Sequence, residues 1–392
     1  MYRVIVNSNG KRRILSGYLW VFSNELHHDK SIPPGEIVDV YDSNSNFLAI
    51  AFYNYQSLIS LKILSFNKIF ELDSYIKKRI IEAYKYRLQF FDKNESFRLV
   101  YSEGDFLPGL IIDKFNNTFL IQVNSIGIYK ILDIVKNVLI KQFNPDSIFL
   151  KIHKNINQNE SLSSEFKLLY GKDNSKLVIL ENGIKYNVDL AIGQKTGFFF
   201  DQRENRRLLN RLSLQNKIGI DAFSYIGAWG LNALKNGAQN IIFIDSSKDA
   251  CNFIEENIKI NNFSLSNTEI INEEVVKVLK KFKDSGEKFD FIILDPPALI
   301  KRKRDISQGQ KGYYNLNKLA LDVLKDNGYL ITCSCSYHLS EAKFREIVFT
   351  ISRKKKIKLY HLFHGIQSYD HPFYILHPET KYLKCDFYIK RG

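Results

Sequence analysis

Cysteine is scarce in this chain. Four cysteines in 392 residues, at positions 251, 333, 335 and 385, are too few and too scattered for a disulfide framework. Long apolar runs are missing too: none reaches the roughly 18 residues that cross a bilayer. The N-terminal "MYRVIVNSNGKRRILSGYLW" lacks the continuous apolar core and small-residue cleavage site of a secretory signal. A cytoplasmic location and no membrane partner are therefore expected. A single Cys-x-Cys without a second cluster falls short of the four ligands of a structural metal site, so no metal is expected. There is no internal repeat, no G-x-G-x-x-G and no P-loop lysine, which makes phosphate cradling a poor fit. Acidic residues are in deficit, with Lys+Arg 56 against Asp+Glu 42 and a net charge of +14. Such an excess favours a polyanionic partner, because neutralised phosphates release counterions. A Lys-rich composition alone would raise basicity without any function.

What is present is the composition of an ordinary globular protein, 45% hydrophobic and 25% charged, long enough for two or three domains. Residues 1 to about 68 hold short β-like runs broken by turn signals. "GEIVDVYDSNSNFLAIAFYN" reads as strand, turn, strand. "LDSYIKKRIIEAYKYRLQFFD" (72–92) carries Ile76, Ile80, Ile81, Tyr84 and Leu88 on one stripe and reads as a helical spacer between modules. From 97 to about 170 the pattern is strand, strand, helix, strand, followed by the polar, loop-like "KNINQNESLSSEF". "KLVILENGIKYNVDL" is a hairpin candidate turning at Asn182-Gly183. Beyond about 200, apolar stretches of strand length alternate with helix-like segments, as buried parallel strands with crossover helices require.

In that last region "GIDAFSYIGAWGLNAL" (219–234) is a strand, a turn with Gly227, and a helix. Glycine there lets backbone pass close to a ligand. Asp221 ends this strand, Asp245 ends the next, and Glu273 or Glu274 ends the third. A carboxylate at the second strand end can accept both hydroxyls of a ribose. Three acids in order on the ligand edge of a doubly wound sheet suit S-adenosylmethionine, whose sulfonium and ammonium are cationic. The candidate cofactor contacts are Asp221, Phe223, Ser224, Tyr225, Gly227, Asp245, Ser246 and Glu274. Helix capping and strand-end solvation are the plainer reading of any one acid.

"FDFIILDPPALIK" (289–301) sets Asp295 just past the fourth buried strand, where it is a candidate for both cofactor and base. Pro296 and Pro297 then fix the backbone and remove two amide donors. The aromatic that follows such prolines in amino-methylating enzymes is replaced by Ala298. The next strand ends in "TCSCSYH", and residues i and i+2 of a strand share a face, so Cys333 and Cys335 could both line a cleft by Asp295. Metal ligands, a disulfide, buried core thiols and a nucleophile are the competing readings. A thiolate adding to C6 of a pyrimidine makes C5 able to take a methyl group, a reaction that needs a thiol, a carboxyl and a methyl donor side by side. "KRKR" (301–304) begins with Lys301 and Arg302, where phosphates flanking a flipped base would lie.

These residues are similar to a known family, the bacterial cytosine-5 methyltransferases of large-subunit ribosomal RNA with an N-terminal PUA domain. The resemblance runs nearly end to end. It is carried by "RRILSGYLWVFSNEL", "PGEIVDVYD", "EGDFLPGLIIDKF", "GQKTGFFFDQRENR", "DAFSYIGAWG", "LDPPALIKRK", "TCSCS" and "DHPFYILHPETKYLK". It implies a β-barrel PUA domain at 1–68, a helical linker at 69–93 and a small α/β RNA-binding domain at 94–174. A Rossmann-like α/β class I methyltransferase domain would fill 175–392. It further implies S-adenosylmethionine as cofactor, ribosomal RNA as partner and a homodimer. Cys335 corresponds to the nucleophile, with Asp295 recognising or protonating the base. Cys333, Pro296, Pro297, Lys301 and Arg302 would lie against substrate. "GQKTGFFFDQRENR" would close over the cofactor, with Phe199 or Phe200 on adenine and Gln202 and Arg203 at the methionine carboxylate. His371 has no assigned role. The rival readings are methylation of an exocyclic amine with both cysteines structural, and an inactive scaffold for RNA binding.

Overall fold

The computed structural model of the chain describes residues 2–153, 160 and 162–392. Residues 154–159 and 161, most of the first half of the expected polar loop, lie outside that description. The chain divides into two compact units. One comprises Met1–Ile179, Val188–Phe200 and Tyr369–Thr380; the other comprises Leu180–Asn187, Asp201–Ser368 and Lys381–Gly392.

The first unit holds two five-stranded sheets. In one, the strands lie side by side in the order Tyr2–Ile5, Glu36–Tyr41, Phe47–Tyr53, Ile59–Ser65, Trp20–Phe22, the first pair parallel and the rest antiparallel. The Asp-Ser-Asn-Ser-Asn turn forms as expected because Asp42 Oδ1 accepts the amides of Asn44 (2.9 Å) and Asn46 (2.8 Å). A helix at Ser8–Leu15, which the strand-like reading passed over, starts where Asn7 accepts the amides of Asn9 and Gly10. The second sheet runs Glu165–Gly171, Ser147–Ile152, Thr118–Val123, Leu110–Phe115, Phe97–Tyr101. The strand Glu165–Gly171 begins inside the stretch expected as a loop, at Glu165 and Phe166.

The helix expected as a spacer spans Leu72–Arg87 and is part of a core. Its Ile76, Ile80 and Ala83 are buried in one cluster with Phe97, Leu99, Ile112 and Ile121. Leu88, expected on the inward stripe, is exposed, and Arg87 takes that place instead. The Arg87 guanidinium forks onto Asp105 at 2.6 and 2.7 Å and donates to Asp370 O at 2.8 Å. A fully buried arginine is tolerated because its donors are met. The same cluster contains Ile50, Phe52 and Leu64 of the first sheet, so helix and both sheets share apolar packing. The segments 188–200 and 369–380 also belong to this unit, although their place in the sequence put them with the C-terminal region. His371 lies here, buried between Arg98 Nη1 (2.9 Å) and Asp370 Oδ1 (2.8 Å).

The second unit is built on a seven-stranded sheet, numbered here in chain order: β1 Ile218–Ala222, β2 Asn240–Asp245, β3 Thr268–Asn272, β4 Phe289–Leu294, β5 Leu324–Ser334, β6 Lys358–Gly365 and β7 Lys384–Arg391. Their order is β3-β2-β1-β4-β5-β7-β6. The first five are parallel, while β7 runs antiparallel to both β5 and β6. Continuous apolar runs such as Ile220, Phe243, Ile292 and Leu330 are buried, because helices cover the sheet. Strand order reverses between β1 and β4, and the crevice at the carboxyl ends of those strands is where such sheets bind ligands.

Candidate active site

Asp221 and Asp295 flank this switch point. Ala222 pairs with Leu294 in register, and the Asp295 amide reaches the Ala222 carbonyl at 3.4 Å. The turn after β1 is wound by three residues in the left-handed region: Phe223 (φ 64°), Tyr225 (φ 52°) and Gly227 (φ 80°). Such conformations cost a non-glycine residue energy, and they cluster at functional turns. Here the Ser224 hydroxyl pins the turn by donating to Asp221 O at 2.6 Å, while its oxygen accepts the Ile244 amide at 3.0 Å. Asp245 Oδ2 accepts the Tyr225 amide at 2.9 Å and Oδ1 accepts the Ser247 amide at 2.9 Å. Gly227 then starts the helix Ala228–Lys235.

The charges of this crevice are unusual for a basic protein. Asp221 is fully buried; its Oδ2 accepts the Gly230 amide at 2.8 Å, whereas its buried Oδ1 has no hydrogen-bond partner among the described residues. Burial pushes its pKa up to about 7, and although the Gly230 amide lowers it, the charges of Asp295 and Asp245 raise it further. Asp295 is held from both sides, Oδ1 by Gln202 Nε2 and Oδ2 by Trp229 Nε1, each at 3.0 Å. Burial takes it up to about 6, the Trp229 bond opposing and the charge of Asp201 adding. Three neighbouring carboxylates, one with an orphaned buried oxygen, outnumber Arg206, a cation that acts on Asp221 and Asp295, and leave a local deficit of positive charge. The sulfonium and ammonium of S-adenosylmethionine fit that deficit. The described residues contain no group of three or more His, Cys, Asp or Glu side chains arranged for a metal ion.

The loop that carries Cys335 follows β5, which ends at Ser334. Cys335 is half-buried, and its thiol donates to the Pro296 carbonyl at 3.8 Å, so thiol and Asp-Pro-Pro loop do meet. Cys333 does not join them. Its sulfur is fully buried 3.2 Å from that of Cys385, which β7 brings directly opposite, and burial raises both thiol pKa values. The strand ends between the two cysteines; Cys333 stays within reach of Asp295 and of Gln202 from its place against β7, and none of the four cysteines is in a disulfide. Two residues not picked out from the sequence hold the loop. The Tyr313 hydroxyl bonds to those of Ser334 (3.0 Å) and Ser336 (2.9 Å), and Lys384 Nζ donates to the Ser336 carbonyl at 2.6 Å. Ser336 Oγ also accepts the Ile300 amide at 3.0 Å, which ties this loop to the end of the Asp-Pro-Pro segment.

Other expected contacts fall elsewhere. The Phe200 ring is buried 5.3 Å from Phe115 and 5.1 Å from Phe198 in the core of the first unit, so core packing replaces adenine stacking there. The half-buried Phe199 lies under Lys195 Nζ at 4.8 Å. Arg203, expected at a ligand carboxylate, is buried with its Nε 3.1 Å from Glu181 Oε2, and Glu181 also binds Arg206 at 2.5 Å. β3 ends in Asn272 rather than an acid; Glu273 is half-buried and Glu274 exposed, and they face Lys277 at 3.4 and 3.5 Å. Ser246, Pro297, Lys301 and Arg302 are exposed, and Pro296 is buried.

A PUA-like domain model matches residues 4–66, and an S-adenosylmethionine-dependent methyltransferase model matches residues 152–343. The chain is similar to ribosomal RNA large subunit methyltransferase I of Aliivibrio fischeri, 32% identical over 93% of each protein. It is equally similar to that of Vibrio vulnificus, 32% identical over 95% of this chain and 96% of the relative. Among solved structures it resembles a SAM-dependent methyltransferase from Streptococcus mutans, with TM-score 0.85 and 22% identity over 99% of this chain and 100% of that one. A methyltransferase solved in complex with SAH gives TM-score 0.86 and 23% identity, with the same coverage. At these identities the two structures show a common fold.

Proposed function

The chain belongs to the ribosomal RNA large subunit methyltransferase I family and is an S-adenosylmethionine-dependent methyltransferase, and from that premise we propose that it forms 5-methylcytosine in large-subunit ribosomal RNA through a covalent adduct of Cys335. The observation that carries this reading is the contact of the Cys335 thiol with the Asp-Pro-Pro loop, Sγ to Pro296 O at 3.8 Å. Bound S-adenosylmethionine supplies an electrophilic methyl group on a sulfonium. Asp221 and Asp245, with the backbone turn 223–227, would hold it, the carboxylates meeting its positive groups and its ribose.

The chain's own residues then do the rest. Asp295, kept partly protonated near neutral pH by burial, can donate to or accept from the Watson–Crick edge of a flipped cytosine. Gln202 and Trp229 fix its two oxygens, and Asn205 Nδ2 in turn fixes Gln202 Oε1 at 2.6 Å. The Cys335 thiolate adds to C6, C5 takes the methyl group, and loss of the C5 proton expels the sulfur and restores the ring. Lys301 and Arg302, exposed beyond the prolines, would meet the flanking phosphates. A PUA-like module at 4–66 and the net charge of +14 support RNA as partner. The same reading carries a cytoplasmic enzyme working as a homodimer; sedimentation at twice the 45.7 kDa chain mass tests the assembly.

Ala298 and Leu299 after the prolines disfavour methylation of an exocyclic amine, which wants an aromatic there to stack on the base. Incubation with 5-fluorocytosine-substituted ribosomal RNA and S-adenosylmethionine separates the two, because fluorine cannot leave C5 as a proton does. Wild type should be trapped covalently on RNA and Cys335→Ala should not. Absence of trapping together with normal methylation by Cys335→Ala would return the site to amine chemistry.

A further inference from the structure

Lys384 opens β7 opposite Ser334, the residue before Cys335. It is only 4% exposed, and its ammonium donates to the Ser336 carbonyl on the other side of Cys335. Taking an ammonium out of water is costly unless an anion stands nearby. Three titratable groups act on it: Cys335 in the loop after β5, Glu341 on the helix Glu341–Lys355, and Lys381 on its own segment. Lys381 repels it, and the charge of Glu341 is met by Lys381 Nζ at 2.6 Å. Cys335 is thus the group that gains most from a buried cation at this spot. The Tyr313 hydroxyl bonds the side chain of the serine on either side of Cys335.

We infer that Lys384 is a positioning residue that holds Cys335 as a thiolate, its ammonium carrying the charge of the sulfur while Tyr313 fixes the flanking serines. The inference rests on Cys335 being the nucleophile. In the first step the S–H bond breaks, its proton goes to water, and the sulfur keeps the electron pair opposite the ammonium. The thiolate then forms its bond to C6; when that bond later breaks, the electrons return to sulfur and the ammonium again faces a thiolate. Burial lowers the Lys384 pKa and a Cys335 thiolate opposes that fall, leaving it at about 8, so each charge supports the other near neutral pH.

The test is the pH dependence of Cys335 alkylation by iodoacetamide in the full chain, read at the Cys335 peptide by mass spectrometry. Wild type should titrate about one unit or more below an ordinary thiol at about 8.5. Lys384→Met should raise that midpoint and slow alkylation at neutral pH about tenfold, and Lys384→Arg should restore most of the rate. A wild-type Cys335 that titrates like an ordinary thiol overturns the inference without any variant. So does a folded Lys384→Met protein with an unchanged profile. Alkylation needs neither RNA nor cofactor. If Cys335→Ala methylates normally the nucleophile reading fails, whereas wild-type trapping alongside an unshifted Lys384→Met titration removes the role of Lys384 alone.

Discussion

Replacing Asp221 by Asn should make the second unit more stable at alkaline pH while weakening S-adenosylmethionine binding. The Asp221 carboxyl is fully buried and its pKa is raised from 3.8 to about 7. Its folded pKa exceeds its unfolded one, so the stability it contributes is complete below about pH 4 and is lost as pH rises through about 7. At about 1.36 kcal/mol per unit, the loss is on the order of 4 kcal/mol by about pH 8. Asn keeps an acceptor for the Gly230 amide, but its amide nitrogen sits where Oδ1 has no protein partner, at a cost of about 1–3 kcal/mol. The variant should therefore gain about 1–3 kcal/mol at about pH 8 and be less stable than wild type at about pH 4. Urea unfolding followed by Trp229 fluorescence, in a Trp20→Phe background that leaves Trp229 as sole tryptophan, reads this unit. A stability difference between variant and wild type that is the same at both pH values would refute the reasoning. Affinity for S-adenosylmethionine by calorimetry should fall in the same variant.

Other expectations follow from buried pairs and packing. Glu181→Gln leaves Arg203 and Arg206 buried without their shared carboxylate; it should cost about 3–5 kcal/mol, seen as a lower melting temperature. Cys333→Ala should retain full trapping of fluorinated RNA, since its sulfur faces Cys385, and cost about 1 kcal/mol; loss of trapping here with retention in Cys335→Ala would exchange the two cysteines. Ile80→Ala should destabilise the first unit by about 2–5 kcal/mol, whereas Leu88→Ala on the same helix, 41% exposed, should stay within about 0.5 kcal/mol. Equal effects would mean that the helix is a spacer after all.

Where the sequence pattern was a good guide, the signal was local. The runs that became β1, β2 and β4 are apolar on both faces because the sheet is covered on both, and that leaves a direct trace in the residues. The turns at Asp42 and at Asn182-Gly183 form because their side chains or positive φ angles are dictated within a few residues. That Asp221, Asp245 and Asp295 lie along one edge could be read because strand ends in a parallel sheet converge there. The failures have a different cause. Glu274 was chosen for its place after a strand, yet nothing local says whether a carboxylate turns to the crevice or to Lys277. Arg203 lies in a run of polar residues, and only the arrival of Glu181 from a hairpin decides that it is neutralised inside the protein. Phe200 could pack on a ligand or a core with equal hydrophobic gain, and the position of Phe115 settles it.

The two cysteines show the same division. That one of them stands one strand after Asp-Pro-Pro was written in the order of the elements. The period of a strand alone would have put both on one face. The strand stops at Ser334, and β7, which follows β5 by some fifty residues, lays Cys385 against Cys333 and Lys384 beside Cys335. Periodicity and motif order are properties of neighbours along the chain, so residue types can state them. Which side chain receives a buried cation and which a buried thiol is set by antiparallel register between distant strands, and that register exists only once the sheet has closed.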